Sequence, residues 1–329
     1  MATHPTTAAA LVVPRNGDSS VLTVQARDVP APGPGEITVR VAAAGVNFID
    51  VYQRQGVYPL TTPFVLGSEG AGTVERVGDG VPHSLGDRVA WAQHLGSAAE
   101  LVTLPASAVV PVPDGLDLET AAAGMLQGLT AHYLVNSTYA VQPGDTVLAH
   151  AVAGGVGQLL VQLVKARGAT LIGTAGTDEK AAKATALGAD HVLSYTQDDD
   201  LAAAVRELTG GEGVHVVYDG VGRSTFDASL ASLRRRGTLV LFGGASGQVP
   251  PFDIQRLNSG GSLFLTRPTL VHYIANRDEY EWRADEILGA LQDGSLRLEV
   301  GGRYPLTDAA AAYHALESRA TTGKLLLVP

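Results

Sequence analysis

The chain contains no cysteine, and that absence excludes disulfide staples, thiolate catalysis and thiolate-bound metal together. Basic charge is scarce as well. Lys and Arg number 23 against 33 Asp and Glu, a net charge of -10, so no global positive field draws the chain to nucleic acid. No apolar run approaches the roughly 20 residues of a membrane span. The start, Met1-Ala2-Thr3-His4-Pro5, lacks a basic stretch followed by an apolar one. A cytoplasmic location is the expectation. Charged residues are only 17% of the chain and hydrophobic ones 45%; over 329 residues this composition supports a large core and two domains. Internal repeats, low-complexity tails and long charge runs are also missing.

What is present centres on Val147-Leu148-Ala149-His150-Ala151-Val152-Ala153-Gly154-Gly155-Val156-Gly157, running into Gln158-Leu159-Leu160-Val161-Gln162-Leu163-Val164-Lys165. A short apolar run reads as a buried parallel strand, the small residues as a tight turn, and the following spacing as a helix that begins among the glycines. Gly154 and Gly157 let backbone N–H groups and the positive end of that helix approach a diphosphate closely. Ala153, Gly154, Gly155, Val156 and Gly157 are therefore candidates for binding a dinucleotide, although the full fingerprint wants a glycine where Val152 stands and an ordinary strand-turn-helix joint is the competing reading. A second short strand follows at 170–173, as a βαβ unit requires. NAD-preferring sites usually put Asp or Glu at the end of that strand. Here it ends in Gly173-Thr174-Ala175-Gly176-Thr177, followed by Asp178, Glu179 and Lys180. A cation holds a 2′-phosphate and a carboxylate repels one, so Gly173, Thr174 and Lys180 favour NADPH. Lys180 also fits a plain exposed helix position.

From residue 8 to about 124, short β-like runs at 9–13, 36–43, 70–77, 88–91 and 99–105 alternate with Gly and Pro, which suggests a compact barrel-like β domain. The period turns helical near 118–123, and a helix runs through 129–134. Strands at 147–149, 170–173, 191–193, 214–219, 237–243 and 262–266 then alternate with helices, the pattern of a doubly wound parallel sheet. The fold class is thus α/β. The rest is helical until a closing strand at 323–328, expected to return to the first domain. The divisions read as 1–124, 125–266 and 267–329.

The segment Gly67-Ser68-Glu69-Gly70-Ala71-Gly72, continuing through Gly78 to Gly86-Asp87-Arg88-Val89, resembles the signature of the medium-chain dehydrogenase/reductase superfamily. With AGVNFIDVYQRQGVYP, LQGLTAHYL, HAVAGGVGQ, YDGVG, RRRGTLVLFG and LESRATTGKLLL, the chain resembles the zeta-crystallin-type NADPH:quinone oxidoreductases over essentially its whole length. The resemblance implies a GroES-like catalytic domain interrupted by a Rossmann domain, with the nicotinamide in the cleft between them and a homodimer formed through the cofactor domains. It implies roles beside the nicotinamide for Asn47 and Tyr52, the two catalytic candidates, with Tyr52 offering a phenolic donor; as plain structure, Asn47 fits a turn and Tyr52 a core-facing helix position. Gln127 and Thr130 would lie near the nicotinamide ribose and diphosphate, some relatives carrying Lys where Gln127 stands. Tyr195 would join Lys180 near the adenosine phosphate, and Arg319 would reach the cleft from the carboxy-terminal segment. Gly220 falls in YDGVG, and Phe242, Gly243 and Gly244 sit where an α/β sheet opens its ligand crevice.

Zinc-dependent relatives place Cys at Asn47 and His at Ser68, and neither Asn nor Ser is a usual zinc ligand. Glu69 and Asp50 without His or Cys partners make a poor zinc site, so no metal is expected. Without a Lewis acid the acceptor has to be electrophilic in its own right, as quinones and conjugated enones are. Two enzymatic functions follow, a quinone reductase and an enone reductase of the same fold, and the resemblance implies a third function of another class, an NADPH-binding protein that binds RNA or serves as a structural crystallin. Hydride and one-electron transfer both stay open. His132, His150 and His272 are not spaced as a metal set, and His150 reads as a packed strand histidine or a cofactor contact. Arg234-Arg235-Arg236 reads as a solvated helix end, Trp91 and Trp282 as core or interface, and Leu263-Phe264-Leu265 as a sheet edge open to a second copy.

Overall fold

The computed structural model describes residues 6–195, 200–318 and 321–329. Its strands are β1 (Thr6–Val13), β2 (Thr23–Val29), β3 (Glu36–Val46), β4 (Phe64–Val65), β5 (Glu69–Val77), β6 (Arg88–Ala92), β7 (Leu101–Pro105), β8 (Val109–Pro111), β9 (Thr146–Ala149), β10 (Thr170–Ala175), β11 (His191–Ser194), β12 (Val214–Asp219), β13 (Leu233–Leu241), β14 (Phe264–Thr266), β15 (Val300–Pro305) and β16 (Lys324–Val328). Its helices are α1 (Phe48–Arg54), α2 (Leu118–Tyr133), α3 (Gly155–Ala166), α4 (Asp178–Ala186), α5 (Leu201–Leu208), α6 (Phe226–Ser232), α7 (Gln255–Ser259), α8 (Arg277–Asp293) and α9 (Ala309–Glu317). The chain divides into two compact units, one made of residues 1–128 with 277–329 and the other of 129–276.

The first unit is built on β3, whose eleven residues are apolar enough to be buried along most of their length. It pairs antiparallel with β5, β7 and β16, and β15 adds in parallel to β16. The sheet runs β15-β16-β3-β5-β6-β8, with β7 also on β3, and a smaller sheet runs β2-β1-β4. Ile37, Val39, Val46, Leu66, Trp91, Leu104, Leu325 and Tyr313 share one core. The closing strand therefore belongs to this unit, because Leu325 and Leu327 alternate onto the apolar face beside Val46 and Ala44.

The second unit is a six-stranded parallel sheet in the order β11-β10-β9-β12-β13-β14. Chain order reverses at β9, so β9 and β12 are neighbours although two strands separate them in sequence. That is a topological switch point, and the crevice outside the carboxyl ends of β9 and β12 is where such sheets hold ligands. The triple arginine is no helix end: α6 stops at Ser232, buried Leu233 pairs with Val214, and Arg234 to Arg236 open β13. A register shift between Val214 and Val216 and a φ of 62° at Arg236 mark the irregularity there. Trp91 is core, whereas Trp282 is 43% exposed.

Candidate functional site

In the second unit, β9 ends at Ala149 and α3 starts at Gly155, with extended Gly154 as its N-cap and no side chain capping it. The first N–H groups of α3 have no intrahelical partner and are left for an anion. Gly157 is required by packing, because a Cβ there would lie 2.6 Å from Val152 Cα and closer still to the Ala151 carbonyl oxygen. Ala151 itself takes φ 54°, a left-handed conformation that costs a residue with a Cβ roughly 1 kcal/mol. Its N–H is held by two hydroxyls, Tyr195 at 2.9 Å and Thr174 at 3.3 Å, and the Val152 N–H donates to the Thr174 carbonyl at 3.1 Å. The turn, Thr174 and Tyr195 thus meet at the carboxyl ends of β9 to β11. These residues can cradle the diphosphate of a dinucleotide, and the glycine geometry fits one.

A buried polar chain lies beneath. Ser229 donates its one hydroxyl hydrogen to Asp219 at 2.8 Å, so His150 Nε2, 2.9 Å from the same oxygen, carries a hydrogen and donates it. Burial holds the His150 pKa below its ordinary value, against the opposing charge of Asp219. The ring is therefore neutral, and its Nδ1 accepts from Thr174 at 3.0 Å. Asp219 also accepts from Thr225 and from the amides of Val221 and Gly222. His150 is consequently a packed histidine with both nitrogens engaged.

At the ends of β12 and β13 the backbone is equally tight. A Cβ on Gly220 would lie 2.8 Å from Phe242 Cζ, and one on Gly243 would lie 2.9 Å from the Gly220 carbonyl carbon. Gly244 has more room, 3.4 Å to the nearest atom. Lys180 is half-buried in the first turn of α4, where Thr177 caps its N–H. Thr130 is buried in α2. Arg319 lies outside the described residues.

In the first unit Asn47 closes β3 and caps α1, its N–H donating to Asp50 Oδ2 at 2.9 Å. Its Nδ2 donates to Glu69 Oε2 at 2.8 Å and to the Gly45 carbonyl at 3.2 Å, and its Oδ1 accepts from Lys324 Nζ at 2.6 Å. Lys324 and Glu69 form a fully buried ion pair at 2.5 Å. The other Glu69 oxygen accepts from the Leu126 amide, next to Gln127, whose own Oε1 is buried without a hydrogen bond. Asp50 Oδ2 also accepts from Tyr313 at 2.9 Å, and Arg54 pairs with Glu317 at 2.7 Å. These two links fasten α1 to α9. Tyr52, half-buried on α1, packs edge-on against Tyr58 with ring centroids 5.3 Å apart.

The donor set here does not fit zinc. Asn47 and Glu69 are both bonded to an ammonium, Ser68 Oγ faces Gln53 at 3.4 Å, and the described residues hold no group of three His, Cys, Asp or Glu. Lys324 and the His150 chain escaped the sequence reading. A charged residue opening the apolar strand KLLLV was the one available signal for Lys324.

A switch-point parallel sheet with a glycine cradle in one unit, and a mainly antiparallel sheet built on β3 in the other, define a dehydrogenase/reductase of the medium-chain type. Residues 33–114 match the alcohol dehydrogenase GroES-like domain and residues 155–288 the zinc-binding dehydrogenase family. The chain is 45% identical to quinone oxidoreductase 1 of Escherichia coli, over 91% of this chain and 92% of that one. It is 41% identical to a 2-haloacrylate reductase of a Burkholderia species, over 97% and 98%. A mycobacterial structure described as complexed with NADPH superposes with a TM-score of 0.94 at 51% identity, covering 98% of this chain and 100% of that one. The chain belongs to the quinone oxidoreductase family of medium-chain dehydrogenases/reductases.

Proposed function

We propose that the chain reduces quinones at the expense of NADPH, one quinone, one NADPH and one proton giving a hydroquinone and NADP+. The observation that carries this reading is the match to a quinone oxidoreductase along 92% of that protein's length. When bound, NADPH supplies the reducing equivalents, and the protein supplies position and polarity. The turn from Ala153 to Gly157 takes the diphosphate at the start of α3. Gly173, Thr174, Lys180 and Tyr195 surround the adenosine ribose and its 2′-phosphate, and Arg319 contributes to cofactor binding from the carboxy-terminal segment. Gly220, Phe242, Gly243 and Gly244, with Gln127 and Thr130, serve the nicotinamide half. Asn47 and Tyr52 act at the reacting end, where the Tyr52 phenol donates to an acceptor oxygen and stabilises charge developing there. We take the working form to be a homodimer in the cytoplasm. Support for pairing is the edge strand β14, on which Phe264 is 60% exposed. No helix among the described residues is long and apolar enough to cross a membrane.

A second reading keeps the fold and cofactor and reduces an activated carbon–carbon double bond; the 41% identity to a 2-haloacrylate reductase favours it. NADPH oxidation followed with a panel of quinones and enones separates the two. Turnover with quinones and weak activity on enones is the expected result. Enone reduction with no quinone-dependent oxidation overturns it, and RNA binding displaced by NADPH with no reductase activity overturns both.

A further inference from the structure

Asn47 does not set its own side chain. A carboxamide can be turned over by half a rotation that exchanges its oxygen and nitrogen, and packing scarcely distinguishes the two states. Here the neighbours do. Lys324 has three donors and no acceptor, and its Nζ stands 2.6 Å from one end of the amide. Glu69 and the Gly45 carbonyl accept only, and they stand 2.8 and 3.2 Å from the other. The reversed amide would set –NH2 against –NH3+ and oxygen against carboxylate. Both Nδ2 hydrogens are therefore consumed, and what Asn47 offers an incoming group is a lone pair of Oδ1. The same carboxylate holds the Leu126 amide beside Gln127. Room for the pair comes from Gly45, where a Cβ would lie 2.7 Å from Glu69 Cδ and 2.8 Å from Lys324 Cε.

We infer that the buried Lys324–Glu69 pair is a positioning device: it fixes Asn47 as a hydrogen-bond acceptor and, through Leu126, seats the backbone next to Gln127. This rests on the quinone reductase reading, in which Asn47 acts beside the nicotinamide. Asn47 then suits a donor such as the nicotinamide carboxamide, and a quinone oxygen takes its donor from elsewhere.

The test compares Lys324→Met, the double variant Glu69→Gln/Lys324→Met, and Gly45→Ala, which displaces the pair without removing a charge. Each is assayed for kcat with 1,4-benzoquinone, for melting temperature, and for binding of adenosine 2′,5′-bisphosphate, the cofactor half that does not reach Asn47. Lys324→Met and Gly45→Ala are expected to lower kcat at least tenfold with bisphosphate binding within twofold of the parent. The double variant is expected to regain melting temperature without regaining kcat. In an Asn47→Ala background, Lys324→Met should cost less than twofold more. Recovery of kcat together with melting temperature, or additive losses in the Asn47→Ala background, overturns the inference. A parent protein inert with every quinone instead defeats the quinone reading and leaves the pair to be assayed on enones by the same criteria.

Discussion

Val152 and Gly173 are complementary: a Cβ built on Gly173 would lie 2.7 Å from Val152 Cγ2 and 2.9 Å from Cγ1. The valine stands where the full dinucleotide fingerprint has its first glycine, and the neighbouring strand makes room by having no side chain. Gly173→Ala is therefore an overpacking substitution, expected to cost about 1–3 kcal/mol. It should also displace the turn and weaken NADPH. Val152→Ala should return part of both losses when combined with it. Melting temperatures and NADPH titrations of the single and double variants measure the coupling; additive effects would show that the two sites are independent.

Lys180 is the second expectation open to measurement. NADPH carries a 2′-phosphate that NADH lacks, so Lys180→Ala should weaken NADPH at least tenfold and leave NADH nearly unchanged. A charge-assisted hydrogen bond is worth about 1.5–3 kcal/mol, and about 1.4 kcal/mol is a factor of ten. Fluorescence titration with both nucleotides gives the ratio. Equal loss for both removes Lys180 from the phosphate site.

The strand-turn-helix at 147–165 was legible because three local signals agree there: an apolar run, a glycine turn and a helical period. The strand Thr23–Val29 was not, since all but one of its residues are exposed and TVQARDV carries no buried face to read. Arg234 to Arg236 misled because charge suggested a helix end, while the parallel ladder between Val214 and Leu233 decides the matter. The site divides in the same way. Glycines speak through local geometry, but Lys324 and Glu69 lie 255 residues apart, and only the pairing of β16 and β5 to the same strand brings them together. Glu69 therefore read as a weak metal ligand when it is an ion-pair partner.

Metal dependence gives a third prediction. With Lys324 Nζ bonded to both Asn47 and Glu69, a cation entering that position would have to displace an ammonium and would find no thiolate or imidazole. Dialysis against a chelator should leave quinone turnover unchanged, and added Zn2+ should not raise it. Loss of activity on chelation with recovery on adding Zn2+ would refute this account of the site.

Asp50 predicts a pH dependence of stability with a definite sign. Burial pushes its carboxyl from 3.8 up to about 6, opposed by the Asn47 amide, the Tyr313 hydroxyl and Lys324, and reinforced by Glu69. Arg54 and Glu317 flank the same α1–α9 contact. Between pH 3.8 and about 6 the native state holds more protons at this position than the unfolded chain, so the free energy of unfolding falls as pH rises through that window and is level above it. At about 1.4 kcal/mol for each pH unit, the contribution present at low pH and lost by neutrality is on the order of 3 kcal/mol. Asp50→Asn keeps an acceptor for Asn47 and Tyr313 and has no charge to bury. Other carboxyls, among them Asp117 and Asp190, are held below their ordinary value and act in the opposite direction, so the informative quantity is the difference between parent and variant. Urea midpoints at pH 4 and pH 7.5 should show the parent losing ground to Asp50→Asn as pH rises. A difference that is constant with pH, or that favours the parent more at pH 7.5, would show that Asp50 is ionised at little cost in its buried position.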